Sequence, residues 1–392
     1  MHFLIFVLIS LNFVFSSQLE ELINFALKNN TKLKSFVYLE KANTFRSLFM
    51  KSLPNPEIRF TFRNFDTEVP MVREENPMSG YAITFMQRYT LPVKREKSSE
   101  IFKNRAKEVK VKREIYEREL IKNVKILYYD FLYTYEKERI LKEIKEDLYI
   151  LLENLKEKYA QNKALLSDIL MVKTEIIKVE EELKNNEALR EKIKGEIYSL
   201  IGGKFDLRPG RLSLFKFPQN FSEDESVYVR LLFEELNTLR KELERAKVEH
   251  YPDLNLLAEY VVRTGNPDLF SLGIGVSLPV WYEKRERFLV LEAKERIKAK
   301  MKELNFTKNF VKERFLGLKR SYNITLKALK TLEEEIKKKE QEIEALFLAY
   351  GYEKVDVREI IRAYRDLWKL KIQRAFTLKK LNEISAEAEA LI

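Results

Sequence analysis

The 392-residue chain contains no cysteine, which excludes disulfides, thiolate metal sites and acylation of an N-terminal cysteine. Histidine occurs only at His2 and His250. A lone His250 without a cysteine partner makes no zinc centre, and its place before Tyr251-Pro252 reads as a structural corner. Phosphate-cradling glycine loops and nucleophile elbows are also missing, so neither an enzyme nor a cofactor or metal site is predicted. Glycine and proline number only ten each, and so few breakers mean few turns and long elements. An apolar run of spanning length is lacking too. Phe3 to Phe15 (FLIFVLISLNFVF) falls short of the roughly 20 residues that a membrane helix needs. It has the length of a signal-peptide core, closed by the small residues Ser16 and Ser17, although Met1-His2 carries no positive charge. Residues 1–17 are therefore expected to be a signal peptide, with a retained anchor as the alternative. If the rest of the chain crosses a membrane, it must do so as strands.

What is present is charge and helix-forming residues. Charged residues make up 34% of the chain and the net charge is +11. The signs alternate closely, as in Lys103-Asn104-Arg105-Ala106-Lys107-Glu108, and no aromatic-plus-basic motif accompanies them. That is the pattern of a solvated, salt-bridged helix face, so no nucleic-acid partner is expected.

The chain repeats one plan. A helix (roughly Leu19 to Met50), Pro54-Asn55-Pro56, two strands, Leu91-Pro92 and a very long helix are followed by a second helix (roughly Ser226 to Glu249), Tyr251-Pro252, two strands, Leu278-Pro279 and another very long helix. The turn after Tyr159 (Lys163 to Leu170) matches that after Tyr350 (Lys354 to Ile361). Fixed order and spacing indicate duplication. The expected organisation is a signal peptide 1–17, a first repeat 18–202, an irregular segment 203–225 and a second repeat 226–392.

Each predicted strand alternates. Ile58, Phe60 and Phe62 share a face, as do Tyr81, Ile83 and Phe85, then Leu254, Leu256, Ala258, Tyr260 and Val262, and finally Phe270, Leu272, Ile274 and Val276. At about ten residues each, the strands suit either a tilted membrane crossing or a soluble sheet with one buried face. Alternation alone leaves both open.

Helix lengths say more. No Pro or Gly interrupts Lys97 to Tyr159, which allows about 95 Å of continuous helix. The return helix, Leu165 to Leu200, covers about 54 Å, and the Ser226 to Glu249 helix adds about 36 Å. The lengths close if the latter stacks on the former, and if the N-terminal helix completes the column begun by Val355 to Leu391. Four strands are too few for a membrane barrel, whose lower limit is about eight, so several copies must pool them.

Taken together, the opening Ala26-Leu27-Lys28-Asn29-Asn30, Leu53-Pro54-Asn55-Pro56-Glu57, Gln87 to Arg95 (QRYTLPVKR), Tyr128-Tyr129-Asp130-Phe131-Leu132, Tyr251-Pro252-Asp253-Leu254 and Gly275 to Val280 (GVSLPV) resemble the TolC-type outer-membrane efflux proteins. The Pro-Asn-Pro-Glu and Leu-Pro-x-Lys-Arg elements look most like the branch serving heavy-metal efflux. The resemblance implies a mainly α fold with a transmembrane β portion. Three copies of two structural repeats, with four strands and long helical hairpins per protomer, would form a twelve-stranded β-barrel continuous with a twelve-helix α-barrel. It implies an outer-membrane location with a periplasmic extension, and a passive exit duct for tripartite efflux or type I secretion. The implied partners are two further copies, outer-membrane lipid, a periplasmic adaptor protein and an inner-membrane transporter. It places a gate at the helical tips, where acids fall on Asp168 and Glu359 and Arg362 stands in for a second acid. The bland reading makes Asp168 and Glu359 helix caps. The implied docking tip is Gln161, Asn162, Lys163, Tyr352, Glu353 and Lys354, without the glycine frequent in the family.

The alternatives from other classes are a periplasmic coiled-coil scaffold or adaptor with no channel, and a cytosolic basic coiled coil. Met71, Met78 and Met86 read as ordinary loop and strand residues in preference to soft-metal ligands.

Overall fold

The computed structural model describes residues 18–64, 78–352 and 354–392. The expected signal peptide, Met71 and Glu353 lie outside them. A helix over residues 18–29 (α1) is followed by α2 (Thr31–Lys51), β1 (Glu57–Arg63), β2 (Gly80–Tyr89), α3 (Pro92–Ala160) and α4 (Leu166–Ile201). Then come α5 (Val227–Lys247), β3 (Leu254–Val262), β4 (Leu269–Val276), a 3-10 turn (Tyr282–Lys284), α6 (Glu286–Gly351) and α7 (Val357–Glu389). No helix among the described residues is long and apolar enough to cross a membrane. Two compact units emerge. Of the described residues, one comprises 18–34, Glu114–Val227 and Asn309–Ile392; the other comprises those within Ser35–Arg113 and Tyr228–Lys308.

Both long helices are continuous, with 69 residues in α3 and 66 in α6. α3 begins five residues earlier than the glycine- and proline-free stretch suggests. Pro92 occupies its first position, where a missing N–H and a fixed φ cost nothing.

In the first unit the hairpins α3/α4 and α6/α7 pack through apolar seams. Leu148, Leu151 and Leu155 of α3 meet Ile169, Val172 and Ile176 of α4 and Val357, Ile361 and Trp368 of α7. Leu332, Ile336 and Ile343 of α6 meet Ala363 and Leu367 of α7. Full burial of each such side chain is worth about 1.5–3 kcal/mol, which sets the scale of this core. Ion pairs flank the seams, among them Lys137–Glu182 between α3 and α4 and Arg374–Glu333 between α7 and α6.

Two expectations need correction here. The N-terminal helix is not continuous. Asn30 ends α1 and caps α2, its Oδ1 accepting from the Leu33 N–H at 2.9 Å. Its Nδ2 donates to Leu200 O at 3.0 Å, where α4 stops at Gly202 in the left-handed conformation (φ 78°). A Cβ on Gly202 would lie 3.2 Å from Asn29 O. The end of α4 therefore meets the α1–α2 junction, and not α5 as the length arithmetic had it. The arithmetic failed because either upper helix fits the gap. The extended segment after Gly203 runs along α7 instead. Asn382 donates to Ser213 O (2.7 Å) and accepts from Phe215 N–H (2.9 Å), while Ser385 Oγ donates to Lys216 O (3.0 Å).

The second unit holds one antiparallel sheet in the order β1-β2-β3-β4. Its strands have 7, 10, 9 and 8 residues, so β1 and β4 are shorter than expected. β1 and β4 are the edges. The helices of this unit are joined by an apolar cluster of Val229, Leu232 and Leu304 (α5 to α6) and by polar contacts, Ser47 Oγ to Ser99 Oγ (α2 to α3, 2.8 Å), Arg105 to Glu242 (α3 to α5, 2.9 Å) and Lys300 to Glu235 (α6 to α5, 3.0 Å).

Candidate channel wall and hairpin tips

The register places the predicted apolar residues of all four strands on a single face. Phe60, Ile83, Tyr260 and Phe270 form one tier across the sheet, and Ile58, Phe85, Ala258 and Leu272 form the next. A third tier sets Phe62 against Tyr81 and Val262, with the Phe62 and Tyr81 rings edge to face at 5.5 Å. This apolar face is the open one: Phe60, Leu272 and Ile274 are each more than 70% exposed. The opposite, more polar face is the crowded one, with Ala82, Thr84, Glu259 and Val261 all buried. A soluble sheet buries its apolar face, so this polarity is inverted. Soluble monomers rarely expose a contiguous apolar patch beyond roughly a few hundred Å².

Carboxylates on or beside the polar face are paired. Arg63 bonds Glu259, and Thr84 Oγ1 donates to Glu259 at 3.0 Å. Asp253, just before β3, takes Arg88 at 2.9 Å and Lys94 at 3.0 Å. Both acids are largely buried, so partners for them are obligatory.

In the other unit the hairpin tips are built alike. Lys163 N–H reaches back to Lys158 O (2.8 Å) and Asn162 N–H to Tyr159 O (3.0 Å), a Schellman closure with Asn162 in the left-handed region at φ 56°. Asparagine thus fills the conformational role of the glycine missing from this turn. Lys354 N–H makes the equivalent bond to Ala349 O at 3.0 Å.

Asp168, Asn162 and Lys163 line one cleft, together with Lys158, Tyr350, Asp356 and Arg358. The Asp168 carboxylate accepts from the Leu165 N–H at 3.2 Å and faces Ser167 Oγ at 3.5 Å, so it serves the first turn of α4. Lys158 Nζ sits 3.5 Å from the centre of the Tyr350 ring and donates to Tyr350 O at 3.1 Å, tying the end of α3 to that of α6. Burial raises the Tyr350 hydroxyl, and the negative charges of Asp168 and Asp356 raise it further.

Glu359, Arg362, Gln161, Tyr352 and Lys354 do not line this cleft. Glu359 and Arg362 are exposed and make no ion pair with each other or with Asp168. The cap of α7 is Asp356, whose carboxylate accepts from the Arg358 N–H at 2.9 Å. Its spacing to Glu359 matches a capping box, which the reading of Glu359 itself as the cap overlooked. Sequence reasoning also missed a polar link between the hairpins. Arg365 of α7 forks onto Glu175 of α4 at 2.6 and 3.1 Å. Burial pushes the Glu175 carboxyl up, but bonds from Arg365 and Lys178 and their charge outweigh it and hold it below the usual carboxylate range. The available signal was an acid within the apolar seam Ile169, Val172, Ile176 and Val179.

No protein-family model and no curated protein matches the sequence. Solved structures do match. CusC, studied for the conformational changes of folding and transmembrane channel formation, aligns over 95% of this chain and 92% of its own, with TM-score 0.81 and 11% identity. The outer membrane protein VceC of Vibrio cholerae aligns over 95% of each chain, with TM-score 0.75 and 13% identity. The Campylobacter jejuni CmeC outer membrane channel aligns over 95% of this chain and 85% of its own, with TM-score 0.76 and 14% identity. At such identities the likeness is one of fold, and that fold is mostly helical with a small antiparallel sheet.

Proposed function

We propose that the chain is one protomer of a TolC-type outer-membrane duct, a passive exit path from the periplasm to the exterior. The observation that carries this reading is the inverted sheet: an open apolar face, a crowded polar face and two edges that pair with no further strand among the described residues. An apolar outer face and a polar lumen are what a membrane barrel requires. Four strands cannot close alone, but an even number lets β4 of one copy meet β1 of the next in the same antiparallel alternation. Three copies would give a twelve-stranded barrel and, with four helical columns each, a twelve-helix barrel in the periplasm. The fold shared with CusC and CmeC supports this assembly.

In this reading outer-membrane lipid covers the apolar face. The hairpin tips carry the gate, with Asp168, Glu359 and Arg362 as candidates. Gln161, Asn162, Lys163, Tyr352, Glu353 and Lys354 face a periplasmic adaptor that links the duct to an inner-membrane transporter, in tripartite efflux or type I secretion. The exposure of Tyr352, 77%, suits a docking residue better than a packing one.

The test is light scattering in detergent beside planar-bilayer recording. A detergent-dependent trimer that forms discrete conducting events is expected. A monomer or dimer, soluble without detergent and never conducting, would return the chain to the scaffold reading.

A further inference from the structure

The polar face of the sheet sorts its charges by depth. Glu259 and Asp253 have side chains only 10% and 11% exposed, whereas their partners Arg63 and Arg88 are 42% and 64% exposed. The carboxylates form an inner layer against the strands, and the guanidiniums lie over them. Arg59 and Glu57, a further exposed pair among the described residues of this face, neutralise each other at 2.9 Å. Asp253 faces two cations, Arg88 and the buried Lys94, so this triad keeps one positive charge. Arg88 pairs with Asn255, one residue from the end of β2, and Arg63 pairs with Gly80 at the opposite end. Guanidiniums therefore stand at both ends of the sheet's polar face.

From this layering we infer that the strand-built half of the duct favours anions over cations. The inference rests on the duct reading, in which the polar face lines the lumen and symmetry repeats each arginine around it. A solute passing a wall of exposed guanidiniums, with the compensating carboxylates set behind, meets positive potential first. Low-dielectric walls strengthen that field, and arginine rings are the recognised device for anion pores. The cargo class that fits is anionic or carries an anionic group, not a bare metal cation. Arginine suits the position because it holds its charge at any pH met in the envelope.

The experiment is the reversal potential of the full chain in a planar bilayer under a potassium chloride gradient. The expected wild-type ratio of chloride to potassium permeability exceeds unity. Arg88→Gln is the chosen variant because Asp253 keeps Lys94, so folding is preserved; recovery of the wild-type detergent-stable assembly checks this. Its ratio is expected to fall toward unity, whereas Arg63→Gln/Glu259→Gln, which removes a pair without leaving a buried charge alone and without changing the net charge, is expected to lower it less. A conducting wild type that prefers potassium, or a ratio unmoved by Arg88→Gln but shifted by Glu359→Gln at the tip, overturns the inference and leaves the duct intact. A protein that inserts and never conducts removes the duct and the inference together.

Discussion

In the helical hairpins the apolar side chains of α3, α4, α6 and α7 meet one another, whereas in the four-stranded sheet they turn outward. The two regions have similarly clean patterning, period 3.5 to 3.6 in one and period 2 in the other, yet opposite polarity. Patterning fixes which residues share a face; the environment on each side decides where that face points. The hairpins bury apolar seams within one chain, although Ile150, Ile177 and Ile324 stay exposed on them. The sheet, with an open apolar face and edges that pair with no further strand among the described residues, is completed only by other copies and lipid, on the reading proposed here.

The sharpest way to break the comparison is to place charge on both kinds of apolar face. Ile83→Arg/Leu272→Arg should cost about 4–8 kcal/mol of membrane insertion if two mid-membrane arginines add, emptying the detergent-extracted membrane fraction. For a soluble sheet the same double variant would instead improve solubility, which fractionation would reveal at once. Leu155→Ala, in the fully buried seam of α3, should destabilise by about 2–5 kcal/mol and lower the thermal midpoint without affecting targeting. An unchanged midpoint would mean that this seam is not a core.

A smaller effect is expected at the link between hairpins. Glu175→Gln weakens the fork from Arg365 and should cost about 1–3 kcal/mol at neutral pH. Because the folded carboxyl is held below its ordinary value of 4.5, its stabilisation is present above that value and is lost as pH falls through the lower, folded one. Denaturation curves of the wild type and Glu175→Gln should thus converge below about pH 4.5, and a constant gap would argue against this ion pair as the cause. The smallest change is at the turn. Asn162→Gly should be neutral or stabilising by a few tenths of a kcal/mol, roughly, while Asn162→Val should cost about 1–2 kcal/mol through its left-handed φ. Equal stability of the two would exclude the strained turn.

Much of the fold was legible because it rests on local rules. Scarce breakers gave the long helices, and alternation gave the strands and their shared face. Where reading failed, long-range packing had decided. Both upper helices fit the gap above α4 in length, and long-range contacts such as the bond from Asn30 to Leu200 O chose between them. At the tips, Asp168 lines the cleft, and its carboxylate turns to the backbone of its own helix turn. The Glu175–Arg365 fork joins residues 190 positions apart, beyond any local pattern.

By itself the sequence determined the order and type of the elements and which side chains share a face, since these follow from backbone geometry and from period. The tertiary structure alone decided which face is open, which carboxylates are buried under which arginines, and which helices meet. Those outcomes depend on distances between residues far apart in the chain, and nearest-neighbour preferences carry no information about them.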